Sequence, residues 1–186
     1  MTQRILCILA FWWCGTHAVA HELQANRLTL VLREGTHVSL TFRLDFTDVL
    51  HRALAPQRTV QEFVLQYAAM PPHAFQSDLL RAQRQFQAAT GLATAAGKVA
   101  TITHWTWPDA EQVQAALRER AMQTVVAPGA HPHSTPVEVV AQATATQAIS
   151  AVTVQLPAEF QPVLLVSYRP QQVWMAPQAR STTVKF

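Results

Sequence analysis

Alternation of apolar and polar residues near the start of the chain is the feature that most constrains its fold. Leucine occupies every second position over residues 28–32, and the even positions of residues 38–46 read Val, Leu, Phe, Leu, Phe. A period of two is the side-chain period of a strand with one buried face. Glu34-Gly35-Thr36 supplies turn residues between the two runs. The sequence therefore predicts a β-hairpin.

The middle of the chain changes to helical spacing. Thr59-Val60-Gln61-Glu62 matches a capping box, which predicts a helix from there to Met70-Pro71-Pro72. A second helix is predicted over about 75–90 and a short strand over 98–107. Pro108-Asp109 then opens a third helix that continues to about residue 125, since proline and early acids suit a helix start.

The last third of the chain returns to strand patterns punctuated by proline. The predicted strands are 137–146, 151–156, 162–168, 172–175 and 182–186. Strands, then helices, then strands predict a mainly β protein with some α structure. The expected architecture is a β-sandwich, immunoglobulin-like or cupredoxin-like, that carries a helical insertion at about 59–125.

The first twenty residues have the three parts of an export signal. Arg4 is followed by an apolar run over residues 5–13, and Ala18-Val19-Ala20 fits the small-x-small cleavage rule. The apolar run is too short to span a bilayer. We therefore expect a signal peptide at 1–20, a mature chain that begins at His21, and one sandwich domain over 21–186.

Cysteine usage and charge limit the classes of function. Cys7 and Cys14 both lie in the predicted leader, so the mature chain has no disulfide or thiolate site, which favours a periplasmic or secreted protein. The formal charge of +3 becomes +2 when Arg4 is removed. Without a basic run to follow a phosphate backbone, we expect no nucleic-acid partner. No later segment is long enough for a transmembrane helix.

Three histidines form the candidate metal site. A chain that starts at His21 offers a metal ion both its α-amine and its imidazole. His131 and His133 flank a proline, and on extended backbone both imidazoles project to one side. Together these groups supply four nitrogen donors, and planar or tetragonal nitrogen sets favour Cu(II). The predicted cofactor is therefore copper.

Two other patterns have alternative interpretations. Asp48 and His51 are three residues apart and share a face on a helical turn. They form either a second-tier metal or base site, or they are only a surface ion pair or a helix end. Trp105 and Trp107 lie on one face of a predicted strand. They either stack on a flat ligand such as a sugar or pack in the core.

The pattern of His21 with His131 and His133 resembles the copper-binding pattern in the periplasmic subunit of particulate methane monooxygenase. It is also similar in kind to CopC-type copper carriers and to the His-brace of lytic polysaccharide monooxygenases. These resemblances imply export, a β-sandwich and copper. The start His21-Glu22-Leu23 before a hairpin loosely resembles the extracytoplasmic domains of HupE-type permeases. The chain lacks the methionine-rich loops of some copper carriers and the membrane segments of a permease.

The sequence thus predicts an exported periplasmic protein that binds Cu(II) for storage, delivery or sensing. The alternative is a non-metal interaction or accessory module of a cell-envelope complex, with a membrane or envelope protein as its partner. A third hypothesis is that the protein is a copper oxygenase. The chain has no Gly-x-Ser-x-Gly, phosphate-binding glycine loop or His-Glu-x-x-His motif, which disfavours an ordinary hydrolase or nucleotide enzyme, and we assign no catalytic residues.

Overall fold

A computed structural model describes residues 26–126, 136–171 and 181. The elements in chain order are β1 (Asn26–Arg33), β2 (His37–Leu44), α1 (Phe46–Leu54), α2 (Val60–Ala69), α3 (Pro72–Ala89), β3 (Gly91–Thr94), β4 (Thr101–Thr106), α4 (Ala110–Val126), β5 (Val137–Thr144), β6 (Val152–Gln155), a 3₁₀ turn (Ala158–Phe160) and β7 (Val163–Tyr168). The protein therefore mixes α and β structure. The predicted strands 172–175 and 182–186 lie outside the described residues.

Five strands form one sheet in the order β4-β5-β2-β1-β7. The predicted hairpin is confirmed, because β1 and β2 pair antiparallel with Leu30 opposite Leu40. Its turn places Glu34 at φ +49° and Gly35 at φ +73°, a left-handed conformation that glycine adopts without steric cost. β5 and β4 continue the antiparallel pairing, whereas β7 runs parallel to β1.

One end of this sheet collects the ends of five strands, and we call it the Leu44 end. β2 finishes there at Leu44, directly opposite Val137, the first residue of β5. Asn26, the first residue of β1, pairs with Val163, the first residue of β7, at the same end. β4 runs antiparallel to β5 and also finishes there, at Thr106.

The core lies on the face of the sheet that carries the even-numbered residues of β2. Phe42 is fully buried, and its ring meets the Phe86 ring of α3 edge to face, with centroids 5.4 Å apart. β3 and β6 form a separate two-stranded sheet, and Val152 and Val154 of β6 line a groove together with Leu30 of β1. Helices and this two-stranded sheet thus share one face of the five-stranded sheet, and no closed barrel forms in the described ranges.

Helix α1 and strand β3 were not predicted from the sequence. The alternation continues to Phe46, but the chain turns into α1 at that residue because the Asp45 side chain caps the helix, accepting a hydrogen bond from the Asp48 amide at 3.2 Å. Phe46, Val49 and Leu50 are then buried on one side of α1. The second element is β3, which starts at Gly91, predicted only as a helix stop; β3 pairs with the distant strand β6.

The predicted capping box of α2 is confirmed. The Thr59 amide donates to Glu62 Oε2 at 2.9 Å, and the Glu62 amide donates to Thr59 Oγ1 at 3.2 Å. The Thr59 amide, and next the Thr59 hydroxyl at 3.0 Å, donate to the Glu62 carboxylate, and these two hydrogen bonds lower the pKa of that carboxyl. In the described part of the chain, no helix is both long enough and apolar enough to cross a membrane.

Candidate functional site

The three histidines predicted as metal ligands, His21, His131 and His133, lie outside the described residues. The strands that follow them are described. β1 starts at Asn26, five residues after His21, and β5 starts at Val137, four residues after His133. Both starts lie at the Leu44 end, with only β2 between the two strands.

Asn26 fixes the start of β1 in the fold. Its side chain is buried, and Nδ2 donates to the Phe160 carbonyl at 3.0 Å. Its Oδ1 accepts a hydrogen bond from the Asp45 amide, also at 3.0 Å. One amide side chain therefore joins β1, the residue that caps α1, and the 3₁₀ turn, so the Leu44 end is held together by polar contacts as well as by the sheet.

The second-tier pair, Asp48 and His51, lies on α1, and each side chain has another partner. The Asp48 carboxylate accepts a hydrogen bond from Arg52 Nε at 3.1 Å and forms an ion pair with Arg52 Nη2 at 2.8 Å. His51 Nε2 lies 2.7 Å from the Arg58 carbonyl, so this nitrogen carries the proton and donates. A metal ion bound by Asp48 and His51 would have to displace Arg52 from the carboxylate and break the hydrogen bond of His51 to the Arg58 carbonyl. Over residues 26–126 and 136–171, no three His, Cys, Asp or Glu side chains converge as a metal-binding group.

The tryptophan pair packs against the core. The rings of Trp105 and Trp107 stack with centroids 5.8 Å apart, and Trp105 stacks in turn on Phe42 at 5.7 Å. Phe86 meets the Trp107 ring edge to face at 5.5 Å. Both indoles are half-buried. Of the two interpretations above, the contacts favour packing.

β4 bends just before this pair. His104 has φ +53°, and the pairing of β4 with β5 shifts register between Thr103 and Thr106. Such a bulge locally turns an edge strand. The indole N–H of Trp107 is buried and has no hydrogen-bond partner among the described residues. An unsatisfied buried donor is unusual in a folded protein and costs stability.

A cavity of about 330 Å³ lies at the Leu44 end and was not predicted from the sequence. Its apolar lining comes from β2, α1, α3, the chain after β4 and the 3₁₀ segment; the lining residues are Leu44, Phe46, Val49, Leu50, Ala53, Leu79, Ala82, Gln83, Gln85, Phe86, Ala89, Trp107, Pro157, Glu159 and Phe160. No local motif marks it, because five separate segments build its wall. Among the described residues that line it, Glu159 is the only charged one.

The chain was compared with family models, with curated proteins and with solved structures, and none of the three comparisons found a match.

Proposed function

We propose that this is an exported Cu(II)-binding protein that stores, delivers or senses copper in the periplasm. The α-amine and imidazole of a mature N-terminal His21 form one chelate, and the imidazoles of His131 and His133 complete the nitrogen set. Cu(II) favours four nitrogen donors in a tetragonal arrangement. An immunoglobulin-like or cupredoxin-like sandwich is part of the same proposal, and the two-stranded β3–β6 sheet beside Leu30 supports it.

The observation that carries the proposal is the common position of the starts of β1 and β5. Neighbouring strands lie about 4.8 Å apart, so two strands separated by β2 start about 10 Å from one another. An extended chain reaches about 3.4 Å per residue, which allows about 17 Å from Asn26 back to His21 and about 14 Å from Val137 back to His133. These chain lengths exceed the separation of the two strand starts, which supports the proposal that His21 and His133 bind the same metal ion.

The first experiment is the intact mass of the protein recovered from a periplasm, because the proposal needs a free amine on His21. The expected mass is that of residues 21–186. A mass that retains any leader residue removes the amine from the site and contradicts the proposal.

The second experiment is a Cu(II) titration of the mature chain near neutral pH, with one equivalent expected to bind. His21→Ala and an extra alanine placed before His21 should each weaken binding most, because one removes the imidazole and the other displaces the amine. His131→Ala and His133→Ala should weaken it by smaller factors. Affinity should fall as the pH drops, because protons compete for the nitrogen donors.

His37→Ala and His73→Ala are the matched controls for this titration. Both side chains are exposed, and His37 begins β2 at the end of the sheet opposite Leu44. Neither change should alter copper binding. Absence of stoichiometric copper, or equal binding by the extended chain, would refute the site.

A second candidate function, an interaction module for an envelope protein, is favoured by the edge strand β7. β7 pairs only with β1 among the described strands, and Leu164, Leu165 and Tyr168 on it are about half exposed. Exposed apolar groups on an edge strand are suited to strand addition by a partner. A photo-crosslinking residue at position 168 should capture an envelope protein, whereas one at the exposed position Gln66 on α2 should not.

A further inference from the structure

We propose that the cavity at the Leu44 end binds a small amphipathic amine, with an apolar ring system buried in the cavity and its ammonium group on Glu159. This proposal uses none of the proposed copper ligands and requires no metal. An apolar cavity of about 150 Å³ holds one benzene molecule, so the roughly 330 Å³ here has room for a two-ring body. Binding sites for small molecules in proteins are typically mostly apolar cavities with a few polar groups on the wall, as this cavity is.

The walls of the cavity are set by the fold before any ligand arrives. Phe160, Leu79 and Phe86 are all buried, and Phe86 meets the Phe160 ring at 5.5 Å. Large aromatic side chains that pack on one another in this way do not collapse easily into the space between them. A pre-formed cavity lowers the conformational cost of binding.

Backbone hydrogen bonds at the residues next to Glu159 fix its position. The carbonyl of Phe160, the next residue, accepts the Asn26 side chain at 3.0 Å, and the carbonyl of Gln161 accepts Arg52 Nη1 at 2.7 Å. The Gln161 amide closes the 3₁₀ turn on Ala158 at 3.1 Å. The half-buried Glu159 side chain therefore projects from an anchored turn at the wall of the cavity.

The charge of Glu159 is not compensated within the described structure. Its carboxylate has no hydrogen bond or ion pair with any described residue, although it is only half-exposed. Arg52 is the nearby cation, and it donates to the Gln161 carbonyl. The guanidinium of Arg52 already pairs with Asp48 through two contacts, so its charge is compensated by Asp48 and not by Glu159. A partly buried carboxylate on an apolar wall favours a cation over a neutral or anionic head group.

The test compares three probes with the same two-ring body: 1-naphthylmethylamine, 1-naphthylmethanol and 1-naphthoate. Each is titrated calorimetrically into the full chain at pH 7 with a metal chelator present, so the result is independent of copper. The amine should bind about fivefold more tightly than the alcohol, the magnitude expected for a partly exposed ion pair. The naphthoate should bind most weakly.

Glu159→Gln should make the amine and the alcohol bind equally while leaving the affinity of the alcohol unchanged. Glu138→Gln is the matched control, because Glu138 is an exposed carboxylate on β5 away from the cavity. An amine preference that survives Glu159→Gln, or that Glu138→Gln also removes, overturns the assignment.

Ala53→Leu and Ala82→Phe should each fill the cavity and abolish binding of all three probes. Ala82 is buried, and Ala53 is half-buried, so Ala53→Leu keeps the test decisive if the larger change prevents folding. Ala115→Leu, an exposed change on α4, is the control and should bind normally. Circular dichroism checks that each variant is folded. If the unchanged chain binds none of the probes saturably, or if a folded Ala53→Leu variant binds normally, the cavity is not the site.

Discussion

Phe42→Ala should be among the most destabilising single substitutions in this protein. Phe42 is fully buried on β2, the central strand of the sheet, and three aromatic rings surround it, those of Phe86, Trp105 and Phe160 at 5.4, 5.7 and 5.9 Å. Removal of a buried phenylalanine side chain costs about 3–5 kcal/mol, and the loss is largest where the neighbours cannot move into the space. β1 and β5 hold β2 on both sides, so collapse is restricted.

We therefore expect the upper half of that range, about 4 kcal/mol. With a urea slope of about 2 kcal/mol/M, the unfolding midpoint should fall by about 2 M. The measurement is equilibrium urea unfolding followed by far-ultraviolet circular dichroism. Tryptophan fluorescence is a poor probe for this variant, because Trp105 stacks on the residue that is removed.

Thr41→Ala is the matched control for Phe42→Ala. Thr41 is the neighbouring residue on β2, its side chain points to the other face of the sheet, and it is half-buried. Its replacement should cost less than about 1 kcal/mol, as for most changes away from the core. If the two variants lose similar free energy of unfolding, the assignment of the buried face is wrong.

Two further predictions follow from Trp107 and Tyr67. Trp107→Phe should change the free energy of unfolding by less than about 1 kcal/mol, because removal of the unsatisfied indole N–H offsets the lost contact area. Urea unfolding measures this change, and a loss of free energy as large as that of Trp107→Ala would contradict the prediction. Burial, and next the Asp78 carboxylate, raise the pKa of the Tyr67 hydroxyl in the folded state. Unfolded Tyr67 therefore ionises first, and its contribution to stability is present below about pH 10 and lost as the pH rises through the folded pKa. Tyr67→Phe should reduce the alkaline loss of stability in thermal melts at pH 9–11, and an unchanged pH profile would refute the reasoning.

The sequence alone determined the features that depend on neighbours along the chain. Alternation identified the buried residues Leu40, Phe42 and Leu44, because side chains of one strand point to alternate faces. The Thr59 capping box was readable because both partners lie within one helical turn. Strand patterns alone also lead one to expect burial of Val152, Val154 and Val166. These residues are only half-buried, because their strands lie at sheet edges, where fewer elements cover them.

The tertiary structure alone decided which distant segments meet. Nothing local shows that β5, besides pairing with β4, also pairs with the distant strand β2. This pairing sets the starts of β1 and β5 at one end of the sheet and supports the copper proposal. The cavity with Glu159 on its wall is likewise built from five segments. Side-chain period and capping act over a few residues, whereas strand order and cavities depend on long-range burial, which no short stretch of sequence specifies.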